Sequence, residues 1–319
     1  MRLLRAIAVT ALAAVLAAGA KAQAVTEYRG MCDASAAVAL DDRHFVVASD
    51  EDNTLRVFRR GEPVAVATVP LQRALGTDKE SDLEGAARIG DAIYWISSHG
   101  RNSSGKVRAD RYRLFVTAID PASSPPVVAP PAAMHTTLLT QLLAADALAP
   151  WRLREASKLA PEAPGGLNIE GLAATPDGQL LIGFRNPLRD GKALVVALQN
   201  PRPASMGAAA TFGPPIGLDL GGRGVRSIER LETDYLVVAG PVADRGDFAL
   251  YRWSGAPGAA PQVVTGVTLG TLRPEALFVW PGTRRVQVLS DDGGVVAAGV
   301  ACKDRPASEQ SFRSIDLDL

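Results

Sequence analysis

The sequence is poor in the residues that build most metal and redox centres. It contains 2 cysteines and 3 histidines in 319 residues, and the histidines (His44, His99 and His135) are scattered along the chain. A structural zinc site needs about four Cys or His ligands at short spacings, so none is predicted. G-x-S-x-G, H-E-x-x-H and phosphate-binding glycine loops are also missing from the sequence, which removes the best-known hydrolase and nucleotide signatures.

Excess positive charge is missing as well. Residues 1–24 contain Arg2, Arg5 and Lys21 and no acidic residue, so the rest of the chain has 31 basic and 34 acidic residues. Nucleic-acid-binding domains carry a strongly basic face, so no nucleic-acid partner is expected.

Residues 1–24 have the pattern of a signal peptide. Arg2 and Arg5 precede an apolar run over 6–18 that is too short to span a bilayer, and Ala22-Gln23-Ala24 is a small-x-small cleavage site. The alternatives are an uncleaved anchor or a buried helix. No later run is apolar enough to cross a membrane. We therefore expect a periplasmic or secreted monomer whose residues 25–319 form one domain.

The two cysteines lie near the ends of this domain, at Cys32 and Cys302. In an exported protein such a pair predicts a disulfide, and two unrelated buried thiols are the alternative. The bridge would close a very long loop, for which the chain-entropy model gives about 5 kcal/mol.

A short acidic motif recurs along the chain and organises it. Asp82-Leu83-Glu84-Gly85 returns as Asn168-Ile169-Glu170-Gly171, more loosely as Arg273-Pro274-Glu275-Ala276 and in the frame of Cys32-Asp33, and without the acid at Val225-Arg226. Each copy is followed by a turn, an apolar run and a polar cluster. Four-stranded units at a spacing near fifty residues predict an all-β, five-bladed β-propeller. A sixth blade could use only the segments around 127–128 and 25–28, so five blades are favoured over six.

Two segments depart from the regular pattern. A short helical insertion is predicted at about 132–160, because leucines between Leu138 and Leu148 recur at helical spacing before Pro150. In the fifth unit, Val295 to Val300 is the expected third strand and 312–317 the expected outermost strand.

In a propeller, the starts of the innermost strands and the loops after the second strands meet at one end of the channel. The predicted inner ring is Asp33, Glu84, Glu170, Arg226 and Glu275, and the outer ring includes Asp50, His99, Arg101, Asn102, Arg185, Asn186 and Asp291. Converging acids repel one another unless arginines, a cation or raised carboxyl pKa values balance them. This arrangement predicts a charged pocket for a small anionic or hydroxylated ligand.

Within the pocket we assign candidate roles by chemistry. Glu84, Glu170 and His99 are candidate catalytic acids or bases. An oxygen-preferring cation such as Ca²⁺ would find ligands in Asp50 and Asp291. The remaining ring residues are candidate ligand-binding groups, with Arg101-Asn102 and Arg185-Asn186 expected at equivalent positions. The alternative is structural: each acid accepts hydrogen bonds from turn amides or forms a salt bridge within its own blade.

Together these segments resemble a known family. The sequence is similar to a group of exported bacterial β-propellers that carry a domain of unknown function. The similar segments are those around Cys32-Asp33 and at 49–53, 82–85, 95–102, 168–171 and 273–276. The Glu-Gly blade starts also look like the phytase-like (esterase-like) propellers, which implies phosphoester hydrolysis with calcium. Clustered aspartates are limited here to 50–52 and 291–292. Two functions stay open: a hydrolase of a phosphoester or other ester, and a non-catalytic module that binds a small molecule or another protein.

Overall fold

The computed structural model describes residues 23–243 and 245–319. Apart from its last two residues, the predicted signal peptide lies outside the described residues. The described chain is mostly β, and its main sheets are five antiparallel blades around a central channel. The predicted five-bladed β-propeller is therefore confirmed.

The first strand along the chain, β1, belongs to the last blade, and blades 1 to 4 follow in sequence order. β1 is Val25–Arg29; blade 1 is β2 (Ala36–Ala39), β3 (His44–Ala48), β4 (Thr54–Arg59) and β5 (Ala67–Pro70); blade 2 is β6 (Leu83–Ile89), β7 (Ala92–Ser97), β8 (Leu114–Asp120), β9 (Val127–Val128) and β10 (Met134–His135); blade 3 is β11 (Asn168–Ala174), β12 (Leu180–Arg189), β13 (Lys192–Leu198) and β14 (Phe212–Asp219); blade 4 is β15 (Gly224–Leu231), β16 (Asp234–Gly240), β17 (Ala249–Trp253) and β18 (Gln262–Val263).

Blade 5 closes the ring by pairing the two ends of the chain. Its strands are β19 (Pro274–Val279), β20 (Arg285–Ser290) and β23 (Ser311–Asp318), with β1 outermost; β21 (Val296–Ala297) and β22 (Val300–Ala301) form a separate small hairpin. The sequence-based assignment of this blade was thus wrong. The segment 295–300 holds two-residue strands that pair only with each other, while β23 supplies the third strand and β1 covers its edge. β1 thus pairs with the outer edge of β23 and is itself the edge strand of the blade.

A disulfide and a cluster of aromatic side chains also stabilise the junction between blades 5 and 1. Cys32 and Cys302 form the predicted disulfide, with Cα atoms 5.9 Å apart. Tyr28 of β1 stacks on Phe312 at 5.3 Å between ring centroids and meets Phe45 edge-on at 5.1 Å. These rings are fully buried, so packing as well as pairing holds the ends together.

Short helices occupy connections between blades and, in the case of the last helix, the connection between the two outer strands of blade 3. They are α1 (Gln72–Leu75), α2 (Leu138–Ala144), α3 (Leu153–Ala156) and α4 (Pro201–Ser205), with a 3₁₀ segment at Asp146–Trp151 between α2 and α3. Leu138, Leu142, Leu148 and Trp151 pack into the core formed by blades 2 and 3. Within the described residues, no helix combines the length and apolarity needed to cross a membrane.

Candidate functional site

The innermost strands of four blades carry a β-bulge at the same place. The pairing register shifts between Leu83 and Gly85, Ile169 and Gly171, Val225 and Ser227, and Pro274 and Ala276. A bulge sets two residues against one and re-aims a side chain. The residue inside each shift is Glu84, Glu170, Arg226 or Glu275, and all four side chains line one cavity.

The glycine of each Glu-Gly motif has a packing role. A Cβ added to Gly85 would lie 2.9 Å from Ile96 and 3.0 Å from Leu172 of the next blade. A Cβ added to Gly171 would lie 2.8 Å from Val225 and 2.9 Å from Ile228. Such distances are too short for carbon atoms, so glycine allows neighbouring innermost strands to approach.

The cavity lies where these strands begin and has a volume of about 630 Å³. All five residues of the predicted inner ring line it, and so do Asp50, Arg185 and Asp291 from the outer ring. The structure adds residues that the sequence reasoning did not select: Glu51, Asp82, Ser103, Arg111, Glu162, Asn168, Arg245, Arg273 and Lys303.

Some of these additional cavity residues could have been found from the sequence by aligning the blade-start motifs. The pairing of the first two strands shows which residues of blades 1 and 2 correspond. Ala36 pairs with Ala48 in blade 1 and occupies the position that Gly85, paired with Ile96, has in blade 2. The residues before them, Ser35 and Glu84, are therefore counterparts. Asp33 therefore corresponds to Asp82, two residues before the bulge position. Aligning the five motifs on the residue after the bulge would have found Asp82, Asn168 and Arg273. Arg111 and Lys303 come from loops without a repeated pattern.

On the side of blades 3 and 4, the charges of the cavity are paired. Glu170 forms ion pairs with Arg226 (Nε to Oε2, 2.9 Å) and Arg185 (Nη1 to Oε1, 3.1 Å), and the Asn168 amide donates to its Oε1 at 2.7 Å. Arg226 also contacts Glu275 of blade 5. The side chains of this network are almost completely buried. The two glutamates together neutralise the buried arginine, which links three blades across the channel.

On the side of blades 1 and 2, three carboxylates converge, and among the described residues only one of them has a cationic partner. Oxygen atoms of Asp50, Asp82 and Glu84 all lie within 4.8 Å of one another. Asp82 pairs with Arg111 at 2.9 Å, and Ser35 donates to Asp50 at 3.1 Å. Burial, reinforced by the neighbouring acids, raises the pKa values of Asp50 and Glu84 well above their usual range. Burial raises the pKa of Asp82 to about 6, against the opposing effect of Arg111.

A second acidic contact lies at the seam between blades 1 and 5. Asp33 forms an isolated bridge with Asp291, and its carboxyl group is hydrogen-bonded to that of Asp291. Burial, followed by this contact, raises the pKa of Asp33 to about 10. Gly293 makes room for the pair, because an added Cβ would fall on Asp33 Oδ1.

The structure does not bring the remaining predicted site residues to the cavity. His99 is buried, holds the Ser97 carbonyl through Nδ1 at 2.8 Å and stacks on Tyr112, and burial lowers its pKa to about 4. Arg101 donates to the Ser157 and Gly105 carbonyls. Asn102 accepts from the Lys106 amide. Each of these groups satisfies nearby backbone.

Asn186 also has a structural role, and the strand register around it shows that the two Arg-Asn pairs are not equivalent. Its side-chain amide Nδ2 donates hydrogen bonds to the carbonyl oxygens of Pro161 and Ala163, both at 2.8 Å. Opposite the bulges, Ile169 pairs with Phe184 and Leu83 pairs with Ser97. Arg185 therefore corresponds to Ser98, and Arg101 lies three residues further along the chain.

Comparison with known proteins supports the family resemblance. Residues 131–275 match the model of a family described as protein of unknown function (DUF3616). This segment runs from the helical insertion to the start of blade 5. The chain thus carries a β-propeller related to a family without an assigned activity. The likeness to the phytase-like propellers stays a prediction.

Solved structures with a similar fold share little sequence with the chain. A putative oxidoreductase (glucose dehydrogenase) from Thermus thermophilus is 17% identical with a TM-score of 0.46, over 93% of this chain and 100% of that one. The PQQ-bound aldose sugar dehydrogenase from Streptomyces coelicolor is 13% identical with a TM-score of 0.44, over 93% and 99%. No curated protein matches the chain. At these identities nothing about the chemistry of this chain follows.

Proposed function

We propose that the protein is an exported hydrolase that acts on a small phosphoester or other ester in the cavity at the channel mouth. One observation carries the proposal: a single cavity of about 630 Å³ holds a carboxylate-rich wall from blades 1 and 2 and cationic side chains from blades 3 to 5. Ester hydrolysis needs an activated water on one side and a group that stabilises developing negative charge on the other.

The carboxylate wall would activate the water by one of two routes. A buried carboxylate with a raised pKa is a suitable general base, and Glu84 has this property. Alternatively, an oxygen-preferring cation such as Ca²⁺ would polarise the ester and lower the pKa of a bound water. In either route, water adds to phosphorus or to the carbonyl carbon, the ester bond breaks, and the alcohol leaves with a proton.

The anionic part of the substrate would meet the opposite wall. Arg185 and Arg226 are already paired with Glu170, so their main contribution is a fixed local field. Arg273 is exposed at the cavity, and no ion pair of its side chain is seen in the described chain. Its guanidinium would meet a phosphate or carboxylate of the substrate.

A matched pair of variants tests the hydrolase. Glu84→Gln should lower the turnover of aryl phosphate or aryl acetate esters at least about 100-fold, the usual contribution of a general base or of a residue that orients the water. Glu51→Gln changes a neighbouring acid that is exposed and paired with Lys303, so this variant should retain turnover. Thermal denaturation of both variants checks the fold. If wild-type protein turns over no ester in a panel of phosphate and carboxylate esters, the hydrolase proposal fails.

A second candidate is a non-catalytic module that binds a small anionic or hydroxylated molecule. Two features favour it: the central arginines are neutralised, and the cavity lining within residues 23–243 and 245–319 contains no histidine. Such a module would be stabilised by sugar phosphates without converting them. Thermal denaturation and product analysis on the same samples separate the two candidates.

Export is part of the proposal. The Cys32–Cys302 disulfide is consistent with an oxidising compartment. Cleavage after Ala24 would leave a periplasmic or secreted domain. N-terminal sequencing of protein from the periplasm or medium tests this cleavage, and a chain that begins at Met1 would exclude it.

A further inference from the structure

The three bulge glutamates differ in their partners, and the difference points to a ligand. Glu170 is held by Arg185, Arg226 and Asn168, and Glu275 contacts Arg226. Glu84 is only 7% exposed, yet it has no hydrogen bond or ion pair to any described residue. A buried carboxylate without a partner costs several kcal/mol, so an arrangement that aims one at a cavity indicates a missing positive group.

The neighbouring oxygens form a set that one cation can reach. Ca²⁺ binds carboxylate oxygens at about 2.3–2.6 Å, so two ligand oxygens of one ion lie at most ~5 Å apart. The oxygens of Asp50, Asp82 and Glu84 meet this limit, since all lie within 4.8 Å of one another. Mg²⁺ binds at about 2.1 Å, so its ligand oxygens lie at most ~4.2 Å apart, which is a tighter limit than the one that this set is shown to meet.

Two of the three carboxylates are already oriented by other groups. The Ser35 hydroxyl donates to Oδ1 of Asp50, and Arg111 donates to Oδ2 of Asp82. Outer hydrogen bonds of this kind fix ligand direction in metal sites. Arg111 also pairs with Glu80, so it is anchored outside the three-carboxylate set.

We propose that Asp50, Asp82 and Glu84 form a divalent cation site with a preference for Ca²⁺. All three donors are carboxylate oxygens, which favour hard cations over zinc or copper. Three protein ligands leave coordination positions for water and for a substrate oxygen. This inference rests on the proposed function only for its catalytic meaning, because the site itself is defined without a substrate. It specifies the cation route of hydrolysis.

Titration calorimetry and thermal denaturation of chelator-treated protein, with CaCl₂ alone as the probe, test the site. Wild type should bind one Ca²⁺ and melt at a higher temperature with Ca²⁺ than without it, because a ligand of the native state stabilises it. Mg²⁺ should bind at least about tenfold more weakly. Glu84→Gln and Asp50→Asn should each lower Ca²⁺ affinity at least about tenfold.

Glu51→Gln is the control, since this neighbouring acid is exposed and paired with Lys303 at 2.7 Å. Its Ca²⁺ affinity should stay close to that of wild type. The proposal is overturned if wild type shows no saturable Ca²⁺ binding, if Glu84→Gln binds as wild type does, or if Glu51→Gln loses as much affinity as Glu84→Gln. Ca²⁺ binding without ester turnover would support the site and remove the hydrolase, and turnover without Ca²⁺ binding would do the reverse.

Discussion

Blades 2 and 3 begin with nearly the same four residues, and the structure gives their glutamates opposite surroundings. Glu84 and Glu170 occupy the same bulge and precede a glycine that packs on the next blade. Glu170 is enclosed by two arginines and an asparagine amide, whereas Glu84 faces Asp50 and Asp82.

The contrast comes from neighbouring blades and not from the motif. The blade after Glu170 carries Arg226 at its bulge, while the blade before Glu84 carries Ser35 at the corresponding position. One repeated backbone feature therefore serves two purposes. In blade 3 it stabilises the channel, and in blade 2 it presents an acid to the cavity.

The largest expected effect is on the stability of blade 3. Glu170→Gln removes the charge that Arg226 and Arg185 share, and breaking a buried ion pair from one side costs about 3–5 kcal/mol. Glu84→Gln removes no ion pair, so without added cation its free energy of unfolding should equal or exceed that of wild type. Urea denaturation in the presence of a chelator measures both. Equal losses in the two variants would mean that the two glutamates have the same structural role.

An intermediate effect is expected at the glycines, and here the two blades should agree. Gly85→Ala and Gly171→Ala each force a Cβ to under 3.0 Å from a side-chain methyl group, and overpacking of this kind costs about 1–3 kcal/mol. The same denaturation series measures both losses. A loss confined to Gly171→Ala would show that blade 2 packs more loosely and that the glutamate contrast includes packing.

The sequence allowed much of the fold to be predicted, because its signals are local. The recurring blade-start motif, with Glu-Gly in two copies and looser matches in three, predicted five innermost strands by its spacing. Five such strands bring Glu84, Glu170, Arg226 and Glu275 to one channel. The two cysteines near the ends of an exported domain predicted the disulfide at the closing seam.

What could not be predicted depends on register and on contacts between blades. Arg101 was expected to match Arg185, but a shift of a few residues along a strand and its loop changes which way a side chain points. The partners of each glutamate come from other blades, at separations that no local pattern reports. The outermost strand of blade 5 was misassigned for the same reason, since β1 and β23 pair from opposite ends of the chain.

The smallest expected effect concerns Glu229, an acid near the opposite end of the channel. It too forms no ion pair in the described chain, and its Oε1 accepts only the Arg230 amide at 2.9 Å. Burial raises its pKa from 4.5 to about 7. A carboxyl whose pKa is raised by folding contributes stability below its unfolded pKa and loses that contribution as pH rises through the folded value.

Wild type should therefore lose stability relative to Glu229→Gln between about pH 4.5 and pH 7 and show a constant difference above pH 8. The side chain keeps partial contact with solvent, so a change of about 1 kcal/mol is expected, well below the full linkage value. Urea denaturation across this pH range measures it. A flat difference would show that burial without an ion pair is not enough to perturb a carboxyl in this channel, and that the neighbouring acids are what set Glu84 apart from Glu170.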